Sequence, residues 1–189
     1  MSIEDSMVSF GFRVNVPSPE HIDIDEENVD DDSYTASVIS QQILEYLAAK
    51  LTGMSSRVET TYSTNIIDSY NSAVENGMDL FITMKVKLMP KHQNSVALVQ
   101  FFKERSLDSM NLASSLIYRL AKMKWFVEAK YKEEDAIVPA DKSISSLVLA
   151  ICLGNDLLCK YNTDPDNFMG KIVDSLLYTI ADNYDSESK

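Results

Sequence analysis

Residues 80–88 read LFITMKVKL, and their alternation decides the fold predicted for this chain. Every second residue of the stretch is apolar: Leu80, Ile82, Met84, Val86 and Leu88. A period of two places these side chains on one face of a strand. Residues 96–103 alternate in the same way after a turn-rich link, so the two segments are predicted to pair as an antiparallel hairpin with a longer loop.

The flanking sequence predicts one more strand and five helices. Residues 8–16 alternate like a strand, and Pro17 and Pro19 end it. Apolar residues at helical spacing indicate helices over about 38–52, 63–76, 106–132, 143–161 and 164–184. We therefore expect an α+β fold: a helix-dominated single domain with about five helices packed on a small antiparallel sheet, which consists of the N-terminal strand and the central hairpin.

A length of 189 residues fits one globular domain over residues 1–189. Residues 20–32 hold eight carboxylates and no Lys or Arg, which predicts a mobile acidic loop at about 17–34, and the termini are expected to be short and flexible. No stretch resembles a signal peptide, and the longest apolar run, 147–153, is far below the ~20 residues of a membrane span. These features predict a cytoplasmic protein.

Charged residues are sorted into three blocks along the chain. Residues 1–80 carry three basic and fifteen acidic side chains, residues 85–132 carry ten basic and three acidic ones, and the remainder is acidic again. The formal net charge is -12. Oppositely charged blocks favour contact with something charged, which includes the other half of the same chain or a second copy of it. Separate solvated faces remain the plain alternative.

Motifs for metal binding and catalysis are weak. Asp23, Asp25 and Glu27 fit the first, third and fifth positions of a helix-loop-helix calcium site, but Asn28 and Tyr34 occupy its glycine and bidentate-glutamate positions. The only imidazoles are His21 and His92, and neither lies in a recognisable catalytic motif. We therefore expect no metal, no cofactor, no catalytic residue, no enzymatic activity and no small-molecule substrate.

The basic block suggests a binding surface. If residues 106–132 form one helix, Arg119, Lys122, Phe126 and Lys130 lie within a stripe about 80° wide, with Trp125 beside it. Basic and aromatic side chains together suit nucleic acid or an anionic membrane. The alternative is that the aromatic rings are core and the lysines solvate the outer face.

These observations favour a non-enzymatic protein-protein interaction and assembly protein that self-associates, as a homo-oligomer, through complementary acidic and basic surfaces. Its other partners would be further protein chains. The alternative is a matrix-like viral or phage structural protein that binds a polyanion, either nucleic acid or an anionic membrane surface. The predicted interaction residues are Lys85, Lys87, Lys91, Arg119, Lys122, Phe126 and Lys130 on the basic side and Asp30, Asp31 and Asp32 on the acidic side.

Overall fold

The computed structural model describes residues 10–17, 31–55, 57–90, 93–102, 106–134 and 144–184. These residues form six strands and five helices. The strands are β1 (Gly11–Val16), β2 (Arg57–Tyr62), β3 (Leu80–Leu88), β4 (Val96–Phe102), β5 (Glu128–Glu134) and β6 (Ser145–Leu153). The helices are α1 (Asp31–Thr52), α2 (Ile66–Glu75), α3 (Ser106–Lys122), α4 (Asn155–Thr163) and α5 (Pro165–Tyr184).

One mostly parallel sheet organises the molecule, with the strand order β2-β1-β3-β6-β4-β5. The strands β2, β1, β3 and β6 run parallel to one another, β4 is antiparallel to β6, and β5 is parallel to β4. The fold is therefore α/β, and the predicted α+β fold with a small antiparallel sheet is wrong. The predicted hairpin is wrong too, because β6 lies between β3 and β4.

Strand β6 explains most of this error. Its sequence, SSLVLAICL, is buried along almost its whole length and lies between two other strands. A strand covered on both faces has a continuous apolar run instead of alternation, and a helix was predicted for that run. Strands β2 and β5 were also missed, the latter because the helix predicted over 106–132 ends at Lys122.

Helices cover both faces of the sheet. On one face, α1, α3 and α5 pack on a large core that includes Phe12, Ile82, Leu147, Leu112 and Ile172. On the other face, which we call the α2 face, Tyr70 and Ala73 of α2 pack on Phe81 and Val148. Residues that alternate along each strand therefore divide between the large core and the α2 face.

No helix within the described ranges is long and apolar enough to cross a membrane. The predicted acidic loop at 17–34 falls largely on residues 18–30, which lie outside the described residues, and α1 already begins at Asp31. The cytoplasmic location stays a prediction.

Candidate functional site at the carboxyl edge of the sheet

The strand order creates a switch point between β1 and β3. From β1 the chain crosses through α1 to β2 on one side, and from β2 it crosses back through α2 to β3 on the other side. The first crossover helix packs on the large-core face and the second on the α2 face. In open α/β sheets, the loops separate at such a point and leave a crevice outside the carboxyl ends of the strands. The carboxyl edge at the β1/β3 switch point is therefore the candidate location of a functional site.

Strand β3 is longer than its neighbour at the switch point. The ladder pairs Asn15 of β1 with Thr83 of β3, and β1 ends one residue later at Val16. Strand β3 continues through Lys85 and Lys87, and both lysines are exposed. Their side chains point to the α2 face, because they alternate with Met84, which lies in the large core. Both lysine side chains therefore lie beyond the end of β1, at the carboxyl edge of the sheet.

Beneath these lysines, buried polar side chains join β1, β2 and β3. The Asn15 amide donates to the Thr83 hydroxyl at 3.4 Å and to the Ser63 carbonyl at 3.2 Å. The Thr61 hydroxyl donates to the Asn15 side-chain oxygen at 3.2 Å, and the Thr83 hydroxyl donates to the Asn15 carbonyl at 2.8 Å. Both Asn15 and Thr83 are fully buried. A satisfied buried network of this kind fixes the relative position of the three strand ends.

The ladder also places Lys85 in a row of side chains that crosses the sheet. Lys85 pairs with Ala150, Ala150 with Leu98, and Leu98 with Lys130, so the four side chains form one row on the α2 face. At ~4.8 Å per strand, Lys85 and Lys130 are about 14 Å apart. Ala150 and Leu98 are half-buried, whereas both lysines are exposed. The row thus has two half-buried apolar side chains between two exposed lysines.

The predicted basic site is only partly assembled. Lys85 and Lys130 share this row, Lys87 lies in the next row toward the carboxyl edge, and Lys130 forms an ion pair with Glu128 at 3.2 Å. The predicted helical stripe does not exist, because α3 ends at Lys122 and Lys124 then adopts a left-handed conformation with φ 55°.

The remaining predicted residues lie elsewhere. On α3, Arg119 bonds to Asp182 of α5, and the Lys122 ammonium lies 4.3 Å from the Tyr118 ring centroid. Phe126 is a buried core residue in the link to β5. Asp31 and Asp32 begin α1, whereas Lys91 and Asp30 lie outside the described residues. The structure therefore brings three of the predicted residues together.

An aromatic cleft, which sequence reasoning missed, opens further along the same edge. Trp125 lies just before β5, whose start is level with the end of β6 with β4 between them, and α4 follows β6 directly. The Trp125 and Phe168 rings stack at a centroid distance of 5.3 Å. A cleft of about 360 Å³ opens beside them, lined by Trp125, Asp156, Cys159, Lys160, Thr163, Asp164, Asn167 and Phe168. The tryptophan was noted in the sequence, but only the fold places it beside α4.

Tyr161 packs against Phe168 of this cleft, and its hydroxyl group makes the stability of the protein depend on pH. Its ring contacts Phe168 edge to face, its hydroxyl donates to the Gln42 side chain at 2.5 Å, and burial raises its pKa above the usual 10.0. The folded state then holds this proton more tightly than the unfolded state, so the stabilisation is present below about pH 10 and is lost as pH rises through the folded-state pKa. We expect the free energy of unfolding to fall above pH 10, and to fall less steeply in Tyr161→Phe.

Urea denaturation between about pH 9 and 11 measures this slope. Tyr62→Phe serves as a second variant, because burial and the nearby Glu45 carboxylate raise the pKa of Tyr62 as well. Identical slopes for Tyr161→Phe and the natural protein would contradict the assignment.

Metal-binding side chains are sparse in the part of the chain that the structure describes. Within it, no group of three or more His, Cys, Asp or Glu side chains is placed to hold a metal ion. Cys152 of β6 and Cys159 of α4 are free thiols. His21 and His92 lie outside the described residues; in sequence they follow β1 and β3, the two strands at the switch point.

Several solved structures share this fold over nearly the whole chain. The N-acetylmuramyl-L-alanine amidase from Mycobacterium smegmatis matches with a TM-score of 0.68 at 10% identity, covering 95% of this chain and 99% of the amidase. The N-acetylmuramoyl-L-alanine amidase from Clostridium difficile 630 matches with a TM-score of 0.64 at 11% identity, covering 94% of this chain and 97% of the amidase. The N-acetylmuramoyl-L-alanine amidase from Nostoc punctiforme matches with a TM-score of 0.60 at 7% identity, covering 90% of this chain and 94% of the amidase.

The likeness shows the fold. No family model matches the sequence, and no curated protein is significantly similar to it. The amidase fold nevertheless contradicts our prediction of a non-enzymatic, self-associating assembly protein and the alternative of a polyanion-binding viral or phage structural protein. The same finding contradicts our prediction of protein partners without a small-molecule substrate. That prediction rested on the absence of sequence motifs, although sites in this fold class are assembled from strand ends that are distant in sequence.

Proposed function

We propose that this chain hydrolyses an amide bond in peptidoglycan, with the substrate held at the carboxyl edge of its sheet. The observation that carries the proposal is the match to N-acetylmuramoyl-L-alanine amidases over 95% of this chain and 99% of the neighbour. The match therefore spans nearly the whole of both chains. Fold by itself does not fix function, so the second support is the site. At the β1/β3 switch point, the described strand ends carry the exposed Lys85 and Lys87 and the buried polar network of Asn15, Thr61 and Thr83.

Amide hydrolysis makes two chemical demands on the crevice. The oxygen of water bonds to the carbonyl carbon while the C–N bond breaks, and the leaving nitrogen takes up a proton. Cationic groups stabilise the negative charge that develops on the carbonyl oxygen, and a group that titrates near neutrality moves the proton. Lys85 and Lys87 supply positive charge at the described edge. His21 and His92, the only imidazoles of the chain, are proposed for proton transfer on their sequence positions after β1 and β3.

The direct test is hydrolysis of a purified muropeptide that contains the N-acetylmuramoyl-L-alanine amide. We expect mass spectrometry to detect a free peptide whose amino terminus is L-alanine, together with the free sugar acid. The assay is run with and without added divalent cations, since amide hydrolysis is often metal-assisted. Absence of the free peptide under every condition would contradict the proposal.

Charge reversal at the crevice gives a sharper prediction. In Lys85→Glu/Lys87→Glu, two negative charges replace two positive ones at the mouth of the site, and we expect kcat/KM for the muropeptide to fall at least about tenfold. The matched control is Lys50→Glu. Lys50 lies in the last turn of α1, at the opposite edge of the sheet, and its ammonium lies over the Tyr46 ring. Equal losses in both variants would show a general charge effect and would exclude a specific role for the two crevice lysines.

A further inference from the structure

A second cavity, which we call the amino-edge cavity, lies where β1, β3 and β6 begin. Its volume of about 290 Å³ is close to the lower end of the ~300–1,000 Å³ range of ligand pockets. Part of its lining is apolar, through Phe10, Leu112 and Tyr184, and the rest is polar. Asp79 of this lining directly precedes β3, and Lys85 lies about 20 Å further along that strand at ~3.3 Å per residue. The cavity is therefore separate from the proposed catalytic crevice.

Two carboxylates give the amino-edge cavity a negative lining. Asp108 lies in the first turn of α3 and is exposed. The Asp79 carboxylate accepts a hydrogen bond from the Gly11 N–H at 2.6 Å and lies 3.8 Å from the Arg57 guanidinium. Arg57 therefore compensates one of the two negative charges, and the net charge of -12 adds a long-range attraction for cations. The cavity thus favours a ligand with a positive charge.

A buried hydroxyl group in the cavity lacks a partner. Ser145 is the first residue of β6, and its side chain points to the large-core face, which it shares with Leu147. Ser145 is 5% exposed and lines the cavity, and its hydroxyl has no hydrogen-bond partner among the described residues. Buried polar groups are nearly always hydrogen-bonded. A ligand that reaches Ser145 would supply the missing hydrogen bond.

The lining fits an organic cation better than a metal ion. Within the described residues, no group of three or more His, Cys, Asp or Glu side chains is placed to hold a metal ion. Phe10, Leu112 and Tyr184 instead offer apolar surface, which suits methylene groups. An aliphatic ammonium group carries three N–H donors, and carboxylate and hydroxyl oxygens accept hydrogen bonds from them. A primary amine on a short carbon chain therefore satisfies both parts of the lining.

We propose that the amino-edge cavity binds a protonated primary aliphatic amine. The ammonium group donates to the Asp108 carboxylate and to the Ser145 hydroxyl, beside the negative charge of Asp79, and the carbon chain packs on Phe10 and Leu112. Such an amine is protonated at pH 7, as a lysine side chain is. This site is additional to the proposed hydrolysis, because it lies at the opposite edge of the sheet.

The probe for this site is n-butylammonium chloride, titrated into the full chain by calorimetry at constant ionic strength. We expect a Kd of about 1 mM, which is typical of a ligand with so few atoms. At about 10 mM the probe should raise the Tm by about 4 °C, because it binds only the folded state. The backbone amide resonances of Gly11 and Ser145 should shift in NMR spectra, since Gly11 donates to Asp79 and Ser145 lines the cavity.

A matched pair of variants tests the charge of the cavity. Asp108→Asn keeps the shape of the side chain and removes its charge, so it should weaken butylammonium binding about tenfold. Asp166→Asn is the control, because Asp166 is exposed in the first turn of α5 and lies outside the cavity lining, and it should leave the Kd unchanged.

Ser145→Ala tests the unpartnered hydroxyl. We expect it to weaken butylammonium binding about fivefold, because one hydrogen bond to the ligand is lost. The Tm of the unliganded variant should stay within about 1 °C of the natural protein, since the hydroxyl bonds to no described residue. Unchanged binding in Ser145→Ala would contradict the role of this hydroxyl and overturn the placement of the ammonium group.

Uncharged and inorganic probes decide the class of ligand. n-Butanol has the carbon chain without the charge, and Mg²⁺ has the charge without the chain, so neither should shift the Gly11 and Ser145 resonances as butylammonium does. Equal shifts with either probe, or equal losses of binding in Asp108→Asn and Asp166→Asn, would overturn the amine site. Absence of both heat and resonance shifts up to about 100 mM butylammonium would overturn it as well. None of these measurements depends on muropeptide hydrolysis.

Discussion

Gly154→Ala is expected to destabilise the protein by about 4 kcal/mol and to lower its Tm by about 12 °C. A Cβ at this position would lie 2.2 Å from the Gln93 carbonyl oxygen and 3.2 Å from the Asn94 carbonyl carbon. These are backbone atoms, so they cannot turn away as the tip of a flexible side chain would. The Gly154 N–H also donates to the buried Ser95 hydroxyl at 2.8 Å. Separating the two segments would break this hydrogen bond as well.

Gly170→Ala provides the matched control, with the opposite sign. Gly170 lies inside α5, and a Cβ there would meet no atom within 4 Å. Alanine is the better helix former, so this variant should gain about 0.5–1 kcal/mol. Thermal and urea denaturation of both variants measure the difference. Similar stabilities for the two would show that the end of β6 and the start of β4 are not in close contact.

The Gly154 contact also matters for the site. It holds the start of α4 against the segment before β4, and α4 carries one wall of the aromatic cleft. Gly154→Ala should therefore shift the emission of Trp125, which lines the cleft, at temperatures where most of the protein is still folded. Fluorescence spectra recorded well below the Tm measure this shift. The shape of the cleft thus depends on the absence of a side chain at one position.

Strands with one apolar face could be predicted from the sequence, whereas the sheet order could not. The alternation in 80–88 and 96–103 marks β3 and β4 almost residue by residue, and Asp164 with Pro165 marks the start of α5. The prediction missed strand β6 for a physical reason. Burial on both faces removes the alternation of apolar and polar residues and leaves an apolar run that a helix could also have. Because β6 was taken as helix, no strand was predicted to lie between β3 and β4, and these sequence neighbours were paired wrongly.

The charge pattern identified real surface features but not their arrangement. Lys85 and Lys130 were both selected, and the ladder does place them in one row through Ala150 and Leu98. Their proximity follows from strand order, not from the helical stripe that was predicted. Asn15 and Thr83 were missed altogether, because each is an ordinary polar residue within a strand until the parallel pairing brings them together. Sites at strand ends are therefore poorly predicted when long-range pairing is unknown.

Glu59→Ala should destabilise the protein by about 2 kcal/mol, because it leaves a charged group buried without its counterion. The partner is Arg13 of β1, whose side chain is 3% exposed, whereas Glu59 of β2 is 44% exposed. The guanidinium also donates to the Ser72 hydroxyl of α2 at 3.5 Å, and its Nε has no hydrogen-bond partner in the described part of the protein. Water reaches the exposed site of the carboxylate and limits this cost. We therefore expect a smaller loss of stability than for a fully buried ion pair.

The double variant Arg13→Met/Glu59→Ala distinguishes this cause from lost packing. Removing the buried cation as well should recover about 1 kcal/mol relative to Glu59→Ala, since no uncompensated charge then remains. Glu128→Ala is the control, because it breaks an ion pair with Lys130 in which both side chains are more than half exposed, and it should cost less than about 0.5 kcal/mol. Urea denaturation of the four proteins, including the natural one, gives these differences. If the double variant were less stable than Glu59→Ala, the Arg13 side chain would stabilise the sheet through its packing and its bond to α2, and its charge would not be the source of the cost.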